Sequence, residues 1–258
     1  MKITKIEKKK RLYLLELDGN EKLYITEDTI VHFMLSKNKE VNQQELEEIK
    51  SYAQFSYGKN LALHYLSFKQ RSKKEVRDYL IKHEIDKIII PQILTSLEKE
   101  NWLNDRKYTE TLLQQNLGTG DKGPYVLQQK LKEKGIDPQV ISEELAKLDF
   151  SELLEKLSQK LLRQYQTKLP QKALRDKIIQ RLTNKGFDYQ TAKETYQQLD
   201  IISEEENEQE LIYKELDKLY PKYSRKYQDY ELKQRLIQAL SRKGFGFDDI
   251  KSALREYL

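Results

Sequence analysis

One pattern recurs along this chain and limits what it can fold into. Gly135, Gly186 and Gly244 each follow a lysine (Lys134, Lys185, Lys243) and precede a large apolar residue (Ile136, Phe187, Phe245). Leu131, Leu182 and Leu240 stand four residues before the glycine, and Leu127, Ile178 and Leu236 eight before. Ile141, Ala192 and Ile250 follow at six, Leu145, Tyr196 and Leu254 at ten, and Leu148, Leu199 and Tyr257 at thirteen. A fourth copy fits with Glu84 in the glycine place, bringing Val76, Leu80, Ile85, Ile90, Leu94 and Leu97 into the same columns. The anchors lie 51, 51 and 58 residues apart.

Apolar residues four apart share one helix face. A glycine just past such a face is a helix stop, because it takes a left-handed conformation without steric cost. Shortly after come acids that start helices: Asp86, Asp137 before Pro138, Asp188, and Asp248-Asp249. Upstream, Ser72 and Glu75 have capping-box spacing, and Gly123-Pro124 starts the corresponding helix of the second copy. Each unit therefore reads as helix, tight turn, helix. A further helix precedes each pair, as at Asn60–Phe68, Arg106–Asn116 or Ser151–Gln166. Left-handed Glu84 would cost about 1–2 kcal/mol, so a different turn is expected in the first copy.

Small three-helix units bury little alone, and stacking buries their apolar faces. Charged residues make up 34% of the chain, above the usual share of about 25%, which fits a high ratio of surface to core. The expected fold is mainly α: an elongated, curved tandem array of three-helix repeats with a small N-terminal segment containing a β-hairpin. The N-terminal region spans 1–56, and the repeats 57–105, 106–150, 151–203 and 204–258.

In the N-terminal region Arg11–Leu17 and Lys22–Thr26 are rich in strand-forming residues, with Asp18-Gly19-Asn20-Glu21 as the turn between them. Lys2–Ile6 offers a third strand. A short helix starts at Thr26 or Asp28 and ends near Met34, and another starts near Asn42 with Glu45 as capping partner.

Catalytic patterns are missing. Gly118–Gly123 spells G-x-G-x-x-G, but an amphipathic helix precedes it and Pro124 follows, so it reads as an inter-helix loop rather than a dinucleotide site. His32, His64 and His83 sit on separate elements without metal-ligand spacing, and the chain has no cysteine. No G-x-S-x-G elbow occurs, and the carboxylates read as caps and surface pairs. Trp102 and Leu103 are expected to plug the joint between the first two repeats, with Asn104 or Asp105 capping the next helix. No cofactor, metal or enzymatic activity is expected. The longest aliphatic run, Ile88–Ile90, is too short to span a membrane, and the N-terminus lacks a secretory pattern, so a cytoplasmic monomer is expected.

The net charge is only +5, but it is unevenly spread. Nine basic residues between Lys156 and Lys185 face Asp176 alone, whereas Glu204–Glu206, Glu208 and Glu210 form an acidic run and a candidate hinge. Such asymmetry points to an anionic partner.

Several ordered motifs resemble the RecX family of bacterial regulators of the RecA recombinase. They are Tyr65-Leu66-Ser67 with Arg71-Ser72-x-x-Glu75-Val76-x-x-Tyr79-Leu80; Trp102-Leu103-Asn104-Asp105-x-x-Tyr108; Lys122-Gly123-Pro124 with Lys134-Gly135-Ile136; Lys185-Gly186-Phe187; and Arg242-Lys243-Gly244-Phe245. The resemblance covers about residues 60–258, with His83-Glu84 and Thr109 as departures. It implies a regulator that lies in the groove of the RecA–single-stranded-DNA filament and restrains ATPase and strand exchange, within DNA repair and recombination. The resemblance supplies no catalytic residues. Filament or DNA contacts are expected at Arg71, Lys73, Lys74 and Arg77, at Lys122, Lys130 and Lys134, and at Lys172, Arg175, Lys185, Arg235, Arg242 and Lys243.

Two other readings compete. A helix–turn–helix protein would read bases from the start of each second helix, but Ser142-Glu143-Glu144 and Asp248-Asp249 are acidic there and would repel phosphate. A scaffold for another protein would show no DNA dependence.

Overall fold

The computed structural model describes residues 1–201 and 205–258. Three strands come first: β1 (Ile3–Lys9), β2 (Leu12–Leu17) and β3 (Glu21–Ile25). Thirteen helices follow among the described residues: α1 (Glu27–His32), α2 (Gln43–Phe68), α3 (Lys73–Lys82), α4 (Ile90–Lys99), α5 (Asp105–Thr119), α6 (Pro124–Glu133), α7 (Pro138–Ala146), α8 (Ser151–Tyr165), α9 (Gln171–Asn184), α10 (Tyr189–Gln197), α11 (Glu205–Tyr223), α12 (Asp229–Arg242) and α13 (Phe247–Tyr257). The fold is mainly α with one small antiparallel sheet, as expected. The acidic run read at Glu204–Glu210 begins outside the described residues. Two compact units are present: residues 1–112 with 130–144, and residues 113–129 with 145–258.

The sheet has the order β1-β2-β3, so the third strand offered by the sequence pairs on the far side of the hairpin. Ile3, Leu15, Leu17 and Ile25 are buried under α1 and α2 with Leu46, Ile49 and Ala53. Thr26 starts α1: its Oγ1 accepts the Thr29 N–H at 3.2 Å. Asn42 starts α2 by accepting the Glu45 N–H at 2.8 Å, but the Glu45 carboxylate goes to Lys39 instead of closing a box. The helix then runs unbroken for 26 residues to Phe68. The helix expected at Asn60–Phe68 is its second half, and the boundary read at 56/57 falls inside it.

The four repeat turns are built alike. Each anchor residue lies in the left-handed region, with φ of 76° at Gly135, 96° at Gly186, 97° at Gly244 and 60° at Glu84. Each anchor N–H reaches the carbonyl three residues back, and the next N–H reaches the column leucine (Ile85 to Leu80, Ile136 to Leu131, Phe187 to Leu182, Phe245 to Leu240). The expectation of a different first turn is therefore corrected. Two backbone hydrogen bonds and burial of Ile85 offset the steric cost of Glu84.

Leu80, Leu131, Leu182 and Leu240 are fully buried, as are Val76, Ile178, Leu236, Ile141, Ala192 and Ile250. The second repeat is polar at one place. Leu145 and Leu148 stay partly exposed, while Glu144 is buried and takes the Arg106 guanidinium at 2.7 Å.

Candidate nucleic-acid interface

The anchor turns have a second role. Within the first unit the Gly135 turn meets the start of α3: the Ser72 hydroxyl donates to the Lys134 carbonyl at 2.7 Å, and a Cβ on Gly135 would come within 2.8 Å of the Lys74 side chain. Within the second unit the Gly186 turn meets the start of α6, where the Gly123 N–H donates to the Lys185 carbonyl at 2.6 Å. The Gly244 turn meets the start of α9, where a Cβ on Gly244 would lie 3.0 Å from Ala173. One docking rule is thus used three times: the turn of one repeat seats on the helix start of the repeat before it.

This rule explains many motif residues. Ser72 and Glu75 form a complete capping box at α3. Glu75 also holds the Lys134 ammonium at 2.6 Å. Burial pushes the Glu75 carboxyl up, but the bonds from Lys134 and the Ser72 N–H outweigh it, and its pKa falls below the ordinary value. Lys185 is paired with Asp121, whose pKa that bond lowers. Asp105 accepts the Lys73 N–H at 2.8 Å; burial leaves its pKa raised. The Arg71 guanidinium lies 4.1 Å over the Tyr65 ring, which stacks on Tyr79 at 4.0 Å. Leu103 is buried, but Trp102 is 55% exposed, so only one of the two residues expected to plug the joint does so. Asn104 caps α5 through the Lys107 N–H at 2.9 Å. The inter-helix loop read at Gly118–Gly123 is shorter, since α5 runs through Thr119; Asn116 pins the remaining 120–123 segment by bonding the Lys122 backbone at both N–H and carbonyl.

The cations proposed from the sequence fall into two groups. Lys73 (to Glu98), Lys134, Lys185 and Lys243 (to Glu215 at 2.7 Å) hold carboxylates, and Lys74 donates to the Glu133 carbonyl at 2.9 Å. Arg175 is paired with its neighbour Asp176, and Arg77 lies 4.0 Å from Asp78. Arg235 lies over the Tyr227 ring at 5.0 Å, with Glu231 at 3.7 Å. Lys122, Lys130, Lys172 and Arg242 have no carboxylate within ion-pair reach among the described residues.

Lys172 and Arg242 come together. They line one open groove of about 680 Å³ with Lys177 and Lys243, beside Ala173 and Gly244. The start and middle of α9 form one wall, and the α12–α13 turn forms the other. Lys177 belongs to the basic run but was not among the candidate contacts. Its signal was helical spacing: Ala173, Asp176, Lys177 and Gln180 share a face, and all line the groove. Asp176, the only acid lining it among the described residues, is engaged by Arg175. The groove thus gathers four cations, three of them without a carboxylate within ion-pair reach among the described residues.

No helix among the described residues is long and apolar enough to cross a membrane, and no cluster of potential metal ligands occurs among them.

Comparison with known proteins places these repeats. Residues 59–97 match the first three-helix domain of RecX, residues 104–145 the second and residues 205–254 the third. The α8–α10 unit lies between the second and third matched segments. The regulatory protein RecX of Streptococcus sanguinis is 66% identical over 258 residues, covering all of both chains. That of Streptococcus mutans is 65% identical and that of Streptococcus pneumoniae 59%, each again over the full length of both chains. A crystal structure of regulatory protein RecX superposes with a TM-score of 0.63 at 28% identity, covering 77% of this chain and 99% of that one. The structure of RecX from Lactobacillus salivarius gives 0.54 at 34% identity, covering 58% and 98%. With its docked repeat turns, its mainly helical fold and its full-length similarity to these proteins, the chain belongs to the RecX family of regulatory proteins.

Proposed function

We propose that this protein binds the RecA–single-stranded-DNA filament and restrains the recombinase ATPase and strand exchange, acting by occupancy and not by chemistry. The observation that carries the reading is the α9–α12 groove, where Lys172, Lys177 and Arg242 stand without carboxylate partners among the described residues. Cations left free at this density favour a polyanion such as the DNA backbone or an acidic protein surface. Repeated modules favour a repeating partner, since several weak contacts on adjacent filament subunits multiply into avidity. Base reading by the second helices is disfavoured: Asp137 and Asp188 cap the starts of α7 and α10, putting negative charge where phosphate would sit.

The test is the single-stranded-DNA-dependent ATPase of the recombinase, titrated with this protein at two salt concentrations. Inhibition below one protein per recombinase subunit, weaker at high salt, is the expected result. An unchanged ATPase on preformed filaments, with the protein folded, overturns the reading and favours a scaffold for another partner.

A further inference from the structure

We propose that the corner joining α11 to α12 is a base-stacking site for single-stranded nucleic acid. Cations and rings alternate there: Lys222, Tyr223, Arg225, Lys226, Tyr227 and Tyr230. Lys222, Arg225 and Lys226 are exposed, with no carboxylate within ion-pair reach among the described residues. Tyr223 and Tyr227 are half-buried against the core of Leu216, Leu232 and Leu236, which fixes their planes. Their ring centroids are 6.2 Å apart and inclined by 29°. Arg235 covers Tyr227 with its guanidinium at 5.0 Å. Beyond them Asp229 takes a left-handed φ of 46°, and Tyr230 emerges 75% exposed.

An anion alone calls for cations and has no use for held, half-exposed rings. Planar faces beside free lysines and arginines match a polymer that carries both phosphates and π-faces, with strand unpaired so that the bases can reach the rings. A duplex hides its base faces and offers only its phosphates. The site also has a continuation. Arg235 and Arg242 lie seven residues apart on α12, both exposed, so they share a face about 10 Å apart along the axis. A strand stacked at the corner can therefore lead its backbone along α12 toward the groove lined by Lys172 and Arg242. The inference deepens the reading above by adding base contacts to phosphate contacts. Its test contains no recombinase, so either can fail alone.

The full-length protein is titrated into a labelled oligothymidylate, and into an abasic strand of equal length, with binding read by anisotropy. Tyr230→Ala should weaken oligothymidylate binding about five- to a hundredfold, the range for loss of one stacked base. Tyr230→Phe should bind like the unaltered protein. The abasic strand should bind more weakly to the unaltered protein and be indifferent to Tyr230→Ala. Tyr230 lies outside the buried core, so the variants should fold. Equal binding of both strands, or of oligothymidylate by Tyr230→Ala and the unaltered chain, overturns the proposal. Competition by polyglutamate as strong as by oligothymidylate also overturns it, in favour of an acidic protein surface.

Discussion

Gly123 has no positive φ, yet it is as constrained as the repeat anchors. A Cβ there would lie 2.5–2.7 Å from backbone atoms of Gly186 and Phe187, which cannot swing aside as a side-chain tip can. Gly123→Ala should cost about 1–3 kcal/mol in urea unfolding, the range for overpacking. Gly118→Ala, with nothing within 4 Å of the new Cβ, should be neutral or gain up to about 1 kcal/mol. Glu75 and Asp121 set the acid limit of the same joints. Both carboxyls are held below their ordinary values when folded. Each therefore contributes stability above its unfolded pKa, and that stability is lost as pH falls through the folded one. The joints should hold from neutral pH down to about 4.5 and weaken below it. Tm followed by circular dichroism should fall over that acidic range, and less steeply in Glu75→Gln.

At the scale of elements, the repeat columns were legible because burial follows helical period. Leu240, on α12 and fully buried in the core shared with α11 and α13, should cost about 2–5 kcal/mol when changed to Ala, read by urea unfolding. The same change at half-exposed Leu145 should cost distinctly less. Helix starts were also legible where a side chain must accept an orphan N–H, as at Thr26, Asn42, Ser72 and Asp188. Continuity was harder to see. Local propensity points to a break in the middle of the 26-residue α2, where Ser56, Gly58 and Asn60 are poor helix formers; packing carries the helix through, with Gly58 seated close against Ile93 and Ile85. The Glu84 turn was misread for the same reason: a local preference was overridden by the hydrogen bonds and burial that the turn completes.

At the scale of the whole molecule, charge decides what such a protein can hold. The chain carries 47 basic and 42 acidic residues, nearly balanced, so its electrostatic surface depends on which cations remain free. Several of the contacts expected from the sequence are spent on joints, among them Lys134 and Lys185, while Lys172 and Arg242 have no carboxylate within ion-pair reach among the described residues. In the ATPase titration, Lys172→Glu with Arg242→Glu should therefore weaken inhibition and flatten its salt dependence. The register of the apolar columns, the caps at Ser72 and Asp188 and the family likeness are legible in sequence, because they depend on residues close along the chain whose periodicity is local. Asp86 and Asp248-Asp249, read as helix starters, do not cap, α4 starting after Ile89 and α13 after Gly246. Which lysine is free and which is tied depends on carboxylates far away in sequence, Glu75 for Lys134, Asp121 for Lys185 and Glu215 for Lys243. Only the tertiary structure decides that, since an ion pair of a few ångströms is a fact of packing that no spacing along the chain encodes.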